Sequence, residues 1–171
     1  MNKIVKATVS DAKILSKVSV ESFLVPHGHS SPKHDIEAYI SKNFNEDNLR
    51  IELSEPTNEY YLIYHNNQLA GFSKVIFNIS NENIEVQNIT KMERLYLLKE
   101  FYGLNLGKVL FDFNAALSQK NNQAGMWLAV WTENPRAIAF YTKMGMKNVG
   151  SYDFPVSKTH SNPNHIMYLK Y

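Results

Sequence analysis

The stretch Met92-Glu93-Arg94-Leu95-Tyr96-Leu97, followed by Leu98-Lys99-Glu100-Phe101-Tyr102-Gly103-Leu104-Asn105-Leu106-Gly107-Lys108, reads as a strand, a glycine-containing loop and a helix start. From Leu106 the apolar residues Val109, Leu110, Phe113 and Leu117 recur at helical spacing, so the segment to Lys120 presents one face to a sheet. Next comes Met126 to Trp131, a nearly continuous apolar run bounded by Gly125 and Asn134. A run of that kind predicts a strand buried on both faces, and the helix before it makes the pairing with the strand at Met92 parallel. Asn134 is placed to cap a further helix, Pro135 to occupy its first position and Gly145 to end it.

The loop between Leu98 and Lys108 carries a chemical expectation. The first N–H groups of a helix lack internal partners, and the helix dipole makes them an anion site. Gly103 and Gly107 let the backbone approach a pyrophosphate closely, and Asn105 is the best non-glycine choice where positive φ is needed. The spacing is not the dinucleotide fingerprint, and no Gly-Lys-Ser/Thr follows to make a P-loop. A plain strand-to-helix turn that binds nothing would have the same composition.

Upstream, Ile4 to Val9 alternates as a strand, and Ser10 and Asp11 are placed to cap a helix over Ala12 to Phe23 that buries Ile14, Leu15, Val18 and Phe23. Ser31 and Pro32 are expected to start a short helix through Ser41, and a third covers Glu46 to Leu53. Glu59 to His65 and Gln68 to Ser80 form a hairpin about Asn66-Asn67. Ile84 to Leu98 is a long strand region with a break in its polar middle, Gln87 to Lys91. The tail, Met146 to Tyr171, holds two strands joined by a loop containing Pro and His.

The 171 residues, 44% hydrophobic and 12% aromatic, fit one domain spanning 1–171 with a single core. The alternation of helix and strand periods predicts a mixed α/β or α+β architecture. A formal net charge of +2 with scattered basic residues argues against nucleic acid as a partner. Cysteine is absent, which removes disulfides and thiolate chemistry. Met1 to Asp11 has no apolar core of a leader and no stretch suits a membrane span, so no membrane partner is expected and cytoplasmic residence is. His27, His29 and His34 lack carboxylate partners at ligand spacing; no metal site is expected, and their segment reads as a flexible substrate-side loop. Glu46, Asp47, Glu52, Glu55 and Glu59 form an acidic run that could attract a cationic amine or simply be a solvated helix face.

Met92 to Gly145 resembles the core of the GNAT superfamily of acetyl-CoA-dependent N-acetyltransferases. That family's Asn-x-x-Ala-x-x-Phe-Tyr-x-Lys-x-Gly-Phe pattern is matched by Asn134, Ala137, Phe140, Tyr141, Lys143 and Gly145, with Met146 in place of the last Phe. The family's Gln/Arg-x-x-Gly-x-Gly/Ala loop is matched less closely: Tyr102 stands for Gln or Arg and Asn105 for Gly, while Gly107 agrees. Over the whole chain the likeness extends to bacterial spermine/spermidine N-acetyltransferases of the PaiA type, through Met92 to Leu97, Trp127 to Trp131 and Ile166-Met167.

The resemblance implies a mostly antiparallel sheet with one splayed parallel pair, helices on both faces and acetyl-CoA in the splay. It implies a coenzyme site made by Leu95, Tyr96 and Leu97 through main chain, by Tyr102, Gly103, Leu104, Asn105, Leu106, Gly107 and Lys108 around the pyrophosphate, and by Asn134, Tyr141 and Lys143. Tyr141 would protonate the leaving thiolate. Glu93, expected to share a strand face with Leu95 and Leu97, would serve as base or hold a water on the amine side. The implied reaction is direct acetyl transfer to a primary amine, with a polyamine as one acceptor and protein amines as others; a non-catalytic acyl-CoA sensor on the same fold is the alternative. A homodimer is an expectation from the family alone.

Overall fold

The computed structural model describes residues 1–171 as a seven-stranded sheet with helices on both faces. In chain order the elements are β1 (Asn2–Lys6), α1 (Ala12–His27), α2 (Lys33–Asn43), α3 (Glu46–Ser54), β2 (Glu59–His65), β3 (Gln68–Ile76), β4 (Thr90–Leu97), α4 (Leu106–Lys120), β5 (Gly125–Trp131), α5 (Pro135–Lys143), β6 (Lys147–Pro155) and β7 (Ser161–Lys170). The strand order is β1-β2-β3-β4-β5-β7-β6, and every pair is antiparallel except β4 with β5.

Each face is sealed by a separate apolar cluster. On one, Leu15 and Val18 of α1 and Leu49 of α3 lie against Tyr60, Leu62 and Phe72. On the other, Phe111 of α4 and Tyr141 of α5 lie against Met92, Met126, Leu128 and Val130. Fully burying a side chain such as Leu15 or Phe72 contributes roughly 1.5–3 kcal/mol, so these layers hold the sheet flat against its helices. Gly71 is required where β3 meets β4, because a Cβ there would run into the Tyr96 carbonyl.

Several sequence expectations shift. The first strand is Asn2–Lys6 rather than Ile4 to Val9; Val9–Asp11 is a single 3-10 turn whose Asp11 carboxylate accepts from the Thr8 N–H. Helix α1 continues to His27 with Pro26 in its final turn, so His27 is helical, and Ile14 is exposed. Pro32 sits outside α2 as its extended N-cap, and Ser31 does not cap it. Strand β3 ends at Ile76, the expected strand from Ile84 is absent apart from an isolated Asn81–Ile84 bridge, and β4 begins at Thr90. The buried stripe of α4 is Leu106, Leu110, Phe111, Asn114 and Ser118, with Val109, Phe113 and Leu117 on its flanks. The tail loop is 156–160 and does contain a histidine, His160, but no proline: Pro155 ends β6 and Pro163 lies within β7.

Candidate active site

The parallel pair separates almost as soon as it forms. Strands β4 and β5 are in register only at Thr90 with Met126 and Lys91 with Trp127. Beyond that point β4 stays with β3 as far as Leu97 opposite Gly71, and β5 stays with β7 as far as Trp131 opposite Asn164. The facing edges are left with unpaired peptide groups, which need a hydrogen-bonding occupant. A cavity of about 1470 Å³ runs through the gap.

A one-residue bulge marks where the strands part. Val75 pairs with Met92 and Lys74 with Arg94, so Glu93 is the extra residue on β4. Bulges sharpen local twist and redirect side chains. Strict alternation therefore fails here. Met92 and Leu95 both face α4 and α5, whereas Glu93 is turned to the α1–α3 side, in ionic contact with Lys74. The expectation that Glu93, Leu95 and Leu97 share a face is corrected by this inserted residue.

At one mouth of the cavity lies the loop before α4. Gly103 has φ +83 and Asn105 has φ 61, both left-handed, so asparagine meets the same backbone demand as glycine. None of the N–H groups from Gly103 through Lys108 donates to a backbone acceptor, and no side chain caps α4. This run of free donors at a helix N-terminus fits a diphosphate. Arg136, in the first turn of α5, stacks 3.6 Å over the Tyr102 ring and adds a cation at the same mouth. Lys108 also lines the cavity, paired at 2.5 Å with Asp112.

Tyr141 and Asn134 line the same cavity. Asn134 caps α5, its side-chain oxygen accepting from the Ala137 N–H at 3.1 Å, which leaves its amide N–H₂ available. Burial pushes the Tyr141 phenol well above the usual range, and burial is the only cause. The phenol is therefore protonated at neutral pH and has a proton to give.

On the opposite side the cavity is walled by an ion network. Lys74 reaches Glu52 at 2.9 Å and Glu93 at 2.5 Å, and Lys91 reaches Glu93 at 3.2 Å. Arg94 donates to the Tyr60 hydroxyl at 2.6 Å and lies 3.4 Å from Glu52. The Tyr60 hydroxyl in turn donates to Glu52. Burial alone would raise the Glu93 carboxyl, but Lys74, Lys91 and Arg94 outweigh it and hold it at about 2. His27 also lines this side; burial, with His29 adding, lowers it to about 4, so its imidazole is neutral. Its Nε2 is 3.5 Å from the Tyr96 hydroxyl.

Among the residues singled out in the sequence, Glu93, Leu95, Tyr96, Leu97, Tyr102, Gly103, Asn105, Leu106, Gly107, Lys108, Asn134 and Tyr141 all line this one cavity. Leu104 and Lys143 are exposed and stand outside its wall. Sequence reading missed Lys74 and Arg136, and it placed His27 on a flexible substrate-side loop, whereas His27 lines the cavity from the end of α1. A lysine inside the apolar strand Gln68–Ile76 was a signal for the first; the other two depend on contacts between distant elements. The acidic run disperses: Glu52 turns inward, Glu59 pairs with Lys6 and Glu46 with Arg50. No group of three or more His, Cys, Asp or Glu is placed to hold a metal, and no helix is long and apolar enough to cross a membrane.

A family model described as the acetyltransferase (GNAT) family matches residues 21–146. The chain belongs to this family. An uncharacterised N-acetyltransferase in the pepI 3′ region of Lactobacillus delbrueckii subsp. lactis is 29% identical over 153 residues, covering 89% of this chain and 88% of that protein. An uncharacterised N-acetyltransferase of Mycobacterium tuberculosis is 24% identical over 155 residues, covering 90% of this chain and 94% of its own. Among solved structures, the PaiA N-acetyltransferase from Thermoplasma acidophilum, in complex with coenzyme A, superposes with a TM-score of 0.79 at 23% identity, covering 100% of this chain and 99% of that one. The ribosomal-protein-S18-alanine N-acetyltransferase from Escherichia coli gives 0.67 at 17% identity, covering 99% and 94%. These likenesses establish the fold, a GNAT N-acetyltransferase with its splayed parallel pair.

Proposed function

We propose that this GNAT enzyme transfers acetyl from acetyl-CoA directly to a primary amine within the β4–β5 gap. The observation that carries the coenzyme site is the unbroken set of free N–H donors from Gly103 through Lys108, next to a parallel pair whose inner edges are unpaired. Those donors with Arg136 and Lys108 would hold the diphosphate end, and the main chain of Leu95, Tyr96 and Leu97 with the Asn134 amide would hold the amide-bearing arm. Leu104 would contribute its N–H. Lys143, outside the cavity wall, would meet at most a peripheral phosphate. Bound there, the coenzyme supplies an activated acyl group as a thioester.

In the transfer, the neutral amine forms a bond to the acetyl carbon, the carbon–sulfur bond breaks, and Tyr141 gives its proton to the departing sulfur. The proton shed by the nitrogen leaves through water and restores the phenol. Glu93 stays ionised throughout the physiological range, so it orients that water by charge and accepts protons poorly at about 2. Cytoplasmic residence is part of this proposal, as a compartment that would hold acetyl-CoA. The polyamine acceptor implied by the PaiA likeness gains little support from the acidic run, of which only Glu52 lines the cavity, where Lys74 and Arg94 already hold it.

Tyr141→Phe tests the proposal. Thiol release should fall about 10²–10⁴-fold while the thermal stabilisation by CoA stays unchanged. Equal rates in the variant and the parent would remove the phenol from the chemistry, and no stabilisation of the parent by saturating CoA would remove the coenzyme site. CoA stabilisation without turnover of any amine would favour the acyl-CoA sensor.

A further inference from the structure

The wall facing Tyr141 across the gap carries more positive than negative charge. Its ion network contains three cations, Lys74, Lys91 and Arg94, against two carboxylates, Glu52 and Glu93. The Lys74 and Arg94 side chains are 7% and 10% exposed and each touches a carboxylate, while Lys91 is 30% exposed, so the extra positive charge of the network is only partly hydrated and an anion beside it would be favourable. Two further cations overhang the same space from the elements that cover it: Lys42 on α2 and Lys158 in the β6–β7 loop. Neither belongs to any ion pair of the fold. Between them the cover is aromatic, with Tyr39 of α2 against Phe154 of β6 at 5.9 Å and against Phe23 of α1 at 5.3 Å. The remaining cavity cations, Lys108 and Arg136, lie at the coenzyme mouth and do not enter this balance.

We infer that the amine acceptor carries a carboxylate on an apolar or aromatic body, and that polycationic amines are disfavoured. This rests on the acetyl-transfer proposal above. A carboxylate would neutralise the surplus among Lys91, Arg94 and the overhanging lysines, whereas a polyamine would bring several positive charges to a wall that already has an excess of them.

The test compares each amine with its carboxylated counterpart in a thiol-release assay with acetyl-CoA: 2-phenylethylamine with phenylalanine, putrescine with ornithine, and spermidine alone. The carboxylated member should be preferred at least tenfold in kcat/KM. Raising salt should narrow the preference, and so should Lys158→Glu, a surface change that the fold should tolerate. Equal or reversed preference, or spermidine as the best acceptor, would overturn the inference while leaving acetyl transfer intact. Should no amine turn over, thermal shifts of the CoA-bound protein decide: N-acetylphenylalanine should stabilise it more than N-acetyl-2-phenylethylamine, and equal shifts would also overturn the inference. Absence of any CoA-induced shift marks failure of the coenzyme site itself.

Discussion

Replacing Glu93 with Gln removes a charge from the ion network while keeping shape and one acceptor oxygen, so the loss is mainly electrostatic. The carboxyl is held at about 2 against an ordinary 4.5. That difference stabilises the folded chain at neutral pH by about 3 kcal/mol. The side chain is 26% exposed, so solvent screening brings the expected figure to about 2–3 kcal/mol. It should not reach the cost of stripping a buried charge of every partner, because Lys74 keeps Glu52 at 2.9 Å. For a chain of this size the melting temperature should fall by roughly 5–10 °C. The sign with pH is fixed by the depressed value: the contribution is complete above about pH 5 and is lost as pH falls through the folded pKa, with about half gone by pH 3. Urea midpoints of parent and variant at pH 7, 5, 4 and 3 measure it. A gap that stays constant from pH 7 to 3, or one below about 0.5 kcal/mol at pH 7, would show that Glu93 is not held by Lys74 and Lys91 in the way described.

Gly107→Val should separate coenzyme binding from folding. A Cβ there meets Phe140 at 3.5 Å and Leu97 at 3.7 Å, ordinary contacts, so the melting temperature of the free protein should change by a few degrees at most. CoA affinity, read by calorimetry, should drop at least tenfold; an unchanged affinity would place the diphosphate elsewhere. The pH dependence of kcat/KM between 6 and 9 should follow the pKa of the acceptor amine, because Glu93 at about 2 and His27 at about 4 are both already deprotonated there. Two acceptors of different basicity should therefore give displaced curves. A limb near pH 6–7 common to both would reveal an enzyme base in that range.

The parts of this protein that were legible in advance are those governed by neighbours in the chain. Asn134, Pro135 and Gly145 bound α5 by capping, fixed φ and a left-handed exit, all local effects. The doubly buried run Met126 to Trp131, with a helix before it, forces parallel pairing with the strand at Met92, and the pair is parallel. Less legible were the helix faces. Asn114 and Ser118 lie buried in α4, where hydropathy alone favoured Phe113 and Leu117. They are accommodated because Asn114 accepts from Ser73 and Ser118 bonds with Thr90 across the sheet.

What the amino-acid order determined by itself was the succession of elements, the left-handed turn at Gly103 and Asn105, and the phenol of Tyr141 on the helix after β5, because each depends on residues a few positions apart. Only the tertiary structure decided the rest: that β4 gains an extra residue at Glu93, that β4 and β5 part after Lys91 and Trp127, and that Glu52, Lys74, Lys91, Glu93 and Arg94 share one wall. Strand register and the balance of a buried charge network are set by groups separated by tens of residues. Their energies exist only once the sheet has brought those groups within a few ångströms of one another.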